Sequence, residues 1–200
     1  MKLIFATGNE NKMREIREIL AGRGYEILSM KEAGIDIDVE ENGKTFSENA
    51  LIKARAISEA SGELVLADDS GLEIDALGGE PGIYSARYLG YDTDYNYKME
   101  QIMKRMENVP DPERTARFVA AVGAVFPDGS EHVVEGAMEG MIAHGIYGQN
   151  GFVYHPFSYL PEYGMTSAEI TEEQKNAISH RGKALRAMIA IFDEWRSRND

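Results

Sequence analysis

The alternation of short apolar runs with segments of helical periodicity is the feature that most constrains this fold. Residues 3–6 are apolar, residues 7–9 have turn chemistry, and residues 12–23 carry apolar side chains at helical spacing. A second helix is predicted to begin at the capping-box residue Thr45, and residues 64–67 form the next apolar run. Strands that alternate with helices in this way predict an α/β fold.

The remainder of the chain adds a hairpin and more helices. Residues 95–107 have helical spacing, and residues 115–126 and 132–138 predict strands on either side of a turn at 127–129. An amphipathic stripe over residues 185–195 predicts a C-terminal helix. We therefore predict a mixed, twisted central sheet flanked by helices. No repeat or linker divides the sequence, so we treat residues 1–200 as one domain.

The charge balance excludes several classes of partner. The chain has 21 Lys and Arg against 34 Asp and Glu, which gives a formal net charge of −13. Binding to a nucleic-acid polymer or an anionic membrane needs clustered cations, so neither is an expected partner. The absence of cysteine excludes disulfides and thiolate chemistry. The apolar start is too short for a signal sequence or a membrane span, and we predict a soluble, cytoplasmic protein.

The turn after the first predicted strand is a candidate phosphate site. A helix N-terminus offers unpaired N–H groups and partial positive charge, which suit a phosphate. The segment consists of the polar or small residues Thr7, Gly8, Asn9, Glu10, Asn11 and Lys12. The alternative interpretation is an ordinary turn, in which the asparagine caps the helix and the lysine is solvated.

Three acidic residues could hold a metal ion or activate water. Asp68 and Asp69 follow an apolar run, and adjacent carboxylates repel each other unless a cation lies nearby. Hard oxygen ligands suit Mg²⁺, and one aspartate could instead take a proton from water. Either Glu40 or Glu41, in a polar turn, could join them. The alternatives are an Asp-rich turn and a solvated acidic turn.

Cations and aromatic residues suggest further contacts with a ligand. Lys53 falls on the apolar face of the second helix, where it either extends to solvent along its stem or meets an anion. His180 and Arg181 would begin the last helix, an unfavourable place for cations unless an anion is bound. Residues 151–156 form an aromatic loop that could stack on a purine or simply pack.

The order of these motifs resembles one family. Residues 7–12, 41–54, 67–72, 81–87 and 178–182 strongly resemble the inosine triphosphate pyrophosphatase-like family, the non-canonical purine NTP pyrophosphatases. The resemblance covers nearly the whole chain. It implies hydrolysis of ITP, dITP and XTP to the monophosphate and pyrophosphate with Mg²⁺. It also implies a homodimer of two-lobed α/β subunits with a cleft between the lobes.

The resemblance also implies roles for individual residues. Asp69 is expected to be the general base and a metal ligand, supported at the Mg²⁺ site by Asp68 and Glu41. Ser70 is expected to contact substrate, and Lys53 to contact the phosphates. The other expected substrate contacts come from residues 7–12 and from Phe152, Val153, Tyr154, His155, Lys175, His180 and Arg181.

Two places depart from the family pattern. Val153 and His155 stand where the family has a glycine and a carboxylate, and Met165 stands where it has a lysine. These departures put the preference for the purine in question while leaving the phosphate and metal residues intact. The alternatives are therefore the same chemistry with altered nucleobase preference, or a nucleotide-binding module without catalysis.

Overall fold

A computed structural model describes residues 1–148 and 153–199. Its strands are β1 (Lys2–Phe5), β2 (Glu26–Ser29), β3 (Leu64–Ile74), β4 (Thr115–Val125), β5 (Glu131–Ile142), β6 (Ser158–Leu160) and β7 (Met165–Thr166). Its α-helices are α1 (Glu10–Ile19), α2 (Phe46–Ser61), α3 (Tyr95–Arg105), α4 (Glu172–Ile178) and α5 (His180–Asn199). Within the described ranges, no helix combines the length and apolar character needed to cross a bilayer.

The strands form one mixed sheet in the order β2-β1-β3-β4-β5-β6-β7. The strand β1 pairs in parallel with both β2 and β3, whereas β6 pairs antiparallel with β5 and β7. The predicted α/β fold with a mixed sheet is therefore confirmed.

The chain divides into two compact units. The first unit comprises Met1–Asp69, Ala120–Gly136 and the C-terminal stretch from His180, and the second comprises Ser70–Val119 and Ala137–Ser179. The strands β3, β4 and β5 contribute residues to both units. A single two-lobed domain over residues 1–200 stays a prediction.

In the first unit, strand alternation sends neighbouring side chains of β3 to different helices. Leu64 and Leu66 pack in a cluster with the apolar sides of α1 and α5. Val65 and Ala67 pack in a second cluster with residues of α2. Because side chains alternate between the two faces of a strand, Asp68 falls on the same side of β3 as Leu66, and Asp69 falls on the same side as Ala67.

Two glycines allow helices of the first unit to lie close to the sheet. A Cβ atom at Gly123 of β4 would come within 3.1 Å of the backbone of Ala50 and Leu51 in α2. A Cβ atom at Gly136 of β5 would collide with the carbonyl oxygen of His180, at the start of α5. These close approaches fix the helix ends that carry the polar side chains described below.

The second unit has an apolar core of its own. Met99, Ile102 and Met106 from the α3 region pack with Leu72 and Ile74 at the end of β3. The core also contains Tyr154 and Phe157. The methionines at helical spacing are therefore core residues, as their spacing predicts.

The element boundaries differ from the predictions most clearly at two strands. The strand β2 was not predicted. The strand β3 continues to Ile74, far beyond the apolar run 64–67. Asp68 and Asp69 therefore lie within a strand rather than after one, at the level where the shorter neighbour β1 has already ended. The alternative interpretation of these aspartates as an Asp-rich turn is therefore wrong.

Candidate active site

The turn between β1 and α1 is organised by Asn9. The Asn9 side-chain oxygen accepts hydrogen bonds from the backbone N–H groups of Asn11 and Lys12, at 2.9 and 3.3 Å. The Thr7 hydroxyl accepts a hydrogen bond from the Asn9 N–H at 3.1 Å. Gly8, Glu10 and Asn11 are exposed. The helix-capping interpretation of the asparagine is confirmed.

Lys12 is paired inside the protein rather than solvated. Its ammonium group lies 3.0 Å from each carboxylate oxygen of Asp68, whose side chain is only 1% exposed. Burial lowers the pKa of Lys12, and the attraction of Asp68 opposes this effect. The first turn of α1 therefore places the partly buried Lys12 beside the buried Asp68.

Arg181, in the first turn of α5, is held by two carboxylates. Its Nε atom donates to Asp68 at 3.0 Å, and one terminal nitrogen donates to Glu15 of α1 at 2.6 Å. Both His180 and Arg181 are buried. The anions that compensate Arg181 at a helix N-terminus thus include protein carboxylates. Glu15 was not predicted, although it lies three residues after Lys12 and so shares its helix face.

These cations decide the charge of Asp68. Burial alone would favour its neutral form, but attraction to Lys12, Arg181 and Lys53 outweighs burial and holds the pKa of Asp68 below its ordinary value. Asp68 is therefore an ionised carboxylate at the centre of a buried network. Its role in the structure is to orient Lys12 and Arg181.

Lys53 points from α2 toward acidic groups. Its Nζ atom lies 2.6 Å from a carboxylate oxygen of Glu41 and donates a 3.1 Å hydrogen bond to the carbonyl oxygen of Asp68. Burial lowers the pKa of Lys53, but attraction to Asp68 and Glu41 outweighs burial and raises it. Of the two interpretations of a lysine on an apolar helix face, contact with an anion is confirmed.

The surroundings of Asp69 shift its pKa in the opposite direction to that of Asp68. Its side chain falls on the α2 side of β3 and accepts a 2.9 Å hydrogen bond from the side-chain amide of Asn49. Burial, together with the negative charges of Glu41 and Asp68, raises the pKa of Asp69 to about 6. A carboxyl group with this pKa can accept a proton near neutral pH. Asn49 is a second residue without a predicted role.

The carboxylates of Asp69 and Glu41 fit a divalent cation. Burial and the charges of Glu41 and Asp68 disfavour the ionised form of Asp69, and a bound cation would favour it. Carboxylate oxygens are the ligands that Mg²⁺ prefers, and this ion keeps waters and substrate phosphates as further ligands. In the described part of the chain, no group of three or more acidic or histidine residues forms a ready-made metal cage. Asp68 is already occupied by Lys12 and Arg181.

The other predicted substrate residues belong to the second unit. Ser70 continues β3 after Asp69, and Lys175 lies on α4; both are partly buried. Phe152 lies outside the described residues. Contact of these residues with the charged cluster of the first unit, formed by Lys12, Lys53, Asp68, Asp69 and Arg181, stays a prediction.

The segment 153–155 differs from an open aromatic loop. Val153 has a backbone φ of +68°, in the left-handed region that suits glycine. Tyr154 is fully buried, and its hydroxyl donates a 3.0 Å hydrogen bond to the carbonyl oxygen of Ser85. The ring of buried His155 packs edge-on against Phe118, with 5.0 Å between centroids. The Tyr154 ring is therefore part of the core of the second unit, and contact of residues 153–155 with a purine stays a prediction.

Both the sequence and the structure of this chain match known proteins. The sequence profile of the Ham1 family matches residues 3–191. The chain is 46% identical over 193 residues to the dITP/XTP pyrophosphatase of Desulforamulus reducens, which covers 96% of each chain. The Ham1 protein of Staphylococcus aureus matches with a TM-score of 0.89 and 39% identity, over 97% of this chain and 99% of that one. A nucleoside-triphosphatase, dITP/XTP pyrophosphatase, of Mycobacterium abscessus matches with a TM-score of 0.80 and 41% identity, over 94% of this chain and 98% of that one.

These matches extend over nearly the full length of this chain and of each relative. They confirm the relationship that the ordered sequence motifs predict. The chain belongs to the Ham1 family.

Proposed function

We propose that this protein hydrolyses the non-canonical purine nucleoside triphosphates ITP, dITP and XTP to the monophosphate and pyrophosphate. The observation that carries the proposal is a pair of adjacent carboxylates whose pKa values are shifted in opposite directions. Asp68 is ionised among cations, and Asp69 has a pKa near 6 and is able to accept a proton. Curated relatives that bear the name dITP/XTP pyrophosphatase support this substrate class.

The cations of the first unit are proposed to bind the triphosphate. The ammonium group of Lys12 contacts the carboxylate of Asp68, and that of Lys53 contacts the Asp68 carbonyl oxygen. Thr7 adds a hydroxyl group, and the exposed Gly8 allows close approach to the backbone. Arg181 is held rigidly by Asp68 and Glu15, so it can meet an anionic group without first being ordered.

Asp69 and Glu41 are proposed to hold Mg²⁺. When bound, the ion supplies neutralisation of phosphate charge and polarisation of the phosphoryl oxygens. Lys53 is paired with Glu41 and also lies near enough to Asp69 to affect its pKa. The two proposed metal ligands therefore lie close to a lysine that is proposed to bind the phosphates. Asp68 supports the site by holding Lys12 and Arg181 in place.

Asp69 is proposed to act as the general base. It accepts a proton from water as the water oxygen forms a bond to the α-phosphorus. The bond from the α-phosphorus to the bridging oxygen breaks, and pyrophosphate leaves with that oxygen. Since the pKa of Asp69 is about 6, the carboxylate form predominates at neutral pH and is basic enough to share the proton.

A second candidate is the same reaction with an altered nucleobase preference. It is favoured by the strained backbone of Val153 and the buried position of His155, which differ from the glycine and carboxylate of the family pattern. A change in this segment alters which hydrogen-bonding groups meet the purine, and unpaired buried groups discriminate strongly between nucleobases.

A panel of ITP, XTP, dITP and the four common nucleoside triphosphates with Mg²⁺ tests both candidates. We expect release of pyrophosphate, with the highest kcat/KM for the non-canonical purines. Comparable values for GTP or a pyrimidine would select the second candidate. Release of orthophosphate, or no turnover, would contradict the pyrophosphatase proposal.

We also propose a homodimer, as the resemblance implies. Large apolar side chains are exposed on the second unit, with Tyr84 at 55%, Leu89 at 49% and Tyr91 at 73%. Burying such side chains on association is favourable. Sedimentation equilibrium should give about twice the mass of the 22.2 kDa chain. A monomer at micromolar concentration would contradict this proposal.

A further inference from the structure

Asn49 is a buried polar residue for which neither the motifs nor the proposed mechanism supplies a role. It lies in the first turn of α2 and is 1% exposed. Its side-chain Nδ2 donates a 2.9 Å hydrogen bond to Asp69. Its Oδ1 accepts a 2.8 Å hydrogen bond from the backbone N–H of Gly43. The amide therefore joins a carboxylate on β3 to the turn that carries Glu41.

Gly43 shows how closely this turn approaches the amide. A Cβ atom at Gly43 would lie 2.7 Å from Oδ1 of Asn49 and 2.8 Å from Cβ of Glu48. Such distances are below van der Waals contact, so a side chain at this position would displace the asparagine or the turn. The absence of a side chain at Gly43 is a requirement of the contact with Asn49.

Asn49 lies on the same face of α2 as Lys53, which also contacts an acidic residue of the proposed site. Asn49 and Lys53 are four residues apart and so lie on one face of the helix. Asn49 holds Asp69, and Lys53 holds Glu41 at 2.6 Å. One helix face thus fixes both acidic groups of the proposed catalytic site, and the amide ties the turn of Glu41 to the same face.

We propose that Asn49 is a positioning residue for the reaction, which fixes the Asp69 carboxylate relative to the turn of Glu41 through its two hydrogen bonds. This inference rests on the proposed function. One oxygen of Asp69 is engaged by the amide donor, which sets the rotamer and aims the carboxylate at the reacting water. Asn49 acts through Asp69.

Two substitutions of Asn49 separate its donor from its volume. Asn49→Ala removes both hydrogen bonds. Asn49→Asp keeps the shape and an acceptor for the Gly43 N–H, but it places a carboxyl oxygen against Asp69. Losses of 10- to 100-fold are typical when the partner of a site carboxylate is removed. We expect both variants to lower kcat for ITP by about this factor, with KM within about twofold of the wild type.

Ser47→Ala is the matched control. Ser47 lies in the same turn of α2, is partly buried, and donates a hydrogen bond to Glu135 rather than to a site residue. We expect its kcat and KM to equal those of the wild type. Melting temperatures of all variants, and affinity for inosine monophosphate measured by calorimetry, show whether the fold and the product site persist.

Gly43→Ala tests the other half of the contact while leaving Asn49 chemically intact. We expect it to lower kcat, and the Gly43→Ala/Asn49→Ala double variant to lose less than the product of the two single losses, because both act through one contact. Wild-type kcat in Asn49→Asp, or multiplicative losses in the double variant, would overturn the inference. An inactive wild type would instead contradict the proposed function, so the two failures are distinct.

Discussion

The charged cluster of the first unit and the segment 153–157 of the second are both buried, but they are built in opposite ways. In the cluster, Asp68 is buried with Lys12 and Arg181 as partners at 3.0 Å. In the segment, Tyr154 is buried by packing against aromatic rings, with its hydroxyl bonded to one backbone carbonyl oxygen. Burial of charge requires specific partners, whereas aromatic burial requires only a fitting volume, so the two regions should respond differently to substitution.

The largest expected effect follows from Asp69→Asn in the charged cluster. An amide of nearly the same shape cannot accept the proton from water, so kcat for ITP should fall about 10²- to 10⁴-fold. Steady-state release of pyrophosphate measures this change, and calorimetry measures the affinity for inosine monophosphate, which should persist. Asp128→Asn, in the exposed turn after β4, is the control and should keep wild-type kcat. An Asp69→Asn enzyme with undiminished kcat would remove Asp69 as the general base.

Asp68→Asn should instead damage the fold of the first unit. The substitution leaves Lys12 and Arg181 without their shared anion, and breaking a buried ion pair costs about 3–5 kcal/mol in free energy of unfolding. Denaturant unfolding with tryptophan fluorescence measures this loss, because Trp195 is the only tryptophan and lies in the first unit.

Glu32→Gln provides the comparison for that measurement. Glu32 pairs with Arg17 at 2.7 Å, but both side chains are nearly half exposed. Solvent screens such a pair, so its loss should leave the unfolding midpoint nearly unchanged. Equal losses in the free energy of unfolding for Asp68→Asn and Glu32→Gln would contradict this prediction, because the buried ion pairs would then contribute no more stability than a surface pair.

The charged cluster was largely predictable because charge in a strand or on an apolar helix face is anomalous. Lys53 on the apolar face of α2 and two aspartates after an apolar run indicated buried ionic partners, and the structure contains them. Glu15 and Asn49 were missed. A glutamate or an asparagine on a helix has many ordinary positions, and only the tertiary packing of α1 and α2 on β3 reveals their partners.

The segment around Tyr154 was less predictable. Its Gly and Pro neighbours indicate a loop, but the same aromatic residues suit either stacking on a ligand or packing in a core. The contact of the Tyr154 hydroxyl with Ser85 spans 69 residues of sequence, and no local pattern predicts it. The extension of β3 through Asp68 and Asp69 was missed for a related reason, since paired carboxylates are typical of turns and their cations come from distant helices.

The pH dependence of activity should report the cluster directly. Burial raises the pKa of Asp69 to about 6, and the general base must be ionised to accept a proton. At Mg²⁺ concentrations no higher than that of ITP, kcat/KM should therefore be constant above pH 7 and fall toward a tenfold loss per pH unit below about 6, since kcat/KM reports groups of the free enzyme. Excess Mg²⁺ should move this fall to lower pH, because a bound cation favours the carboxylate form of Asp69. The measurement is a pair of profiles from pH 5 to 9 at fixed ionic strength, and a flat profile between pH 5 and 7 at the lower Mg²⁺ concentration would contradict the raised pKa of Asp69.

The smallest expected effect belongs to the second region, in Val153→Gly. A β-branched residue at a φ of +68° carries strain of about 1–2 kcal/mol, whereas glycine adopts this conformation freely but loses about 0.5–1 kcal/mol through the entropy of the unfolded chain. The difference is about 0–1.5 kcal/mol, and losing the packing of Val153 against the core of the second unit reduces it. The net result should be a stabilisation of up to about 1 kcal/mol, or a rise of up to about 2–4 °C in Tm. Val133→Gly in strand β5, which is not among the positive-φ positions, removes the same side chain without relieving strain and should lower Tm. Equal losses of Tm in both variants would show that packing of the valine outweighs its backbone strain. A rise in Tm would show that segment 153–157 contains backbone strain at Val153. The charged cluster differs, because the buried charge of Asp68 is balanced there by Lys12 and Arg181.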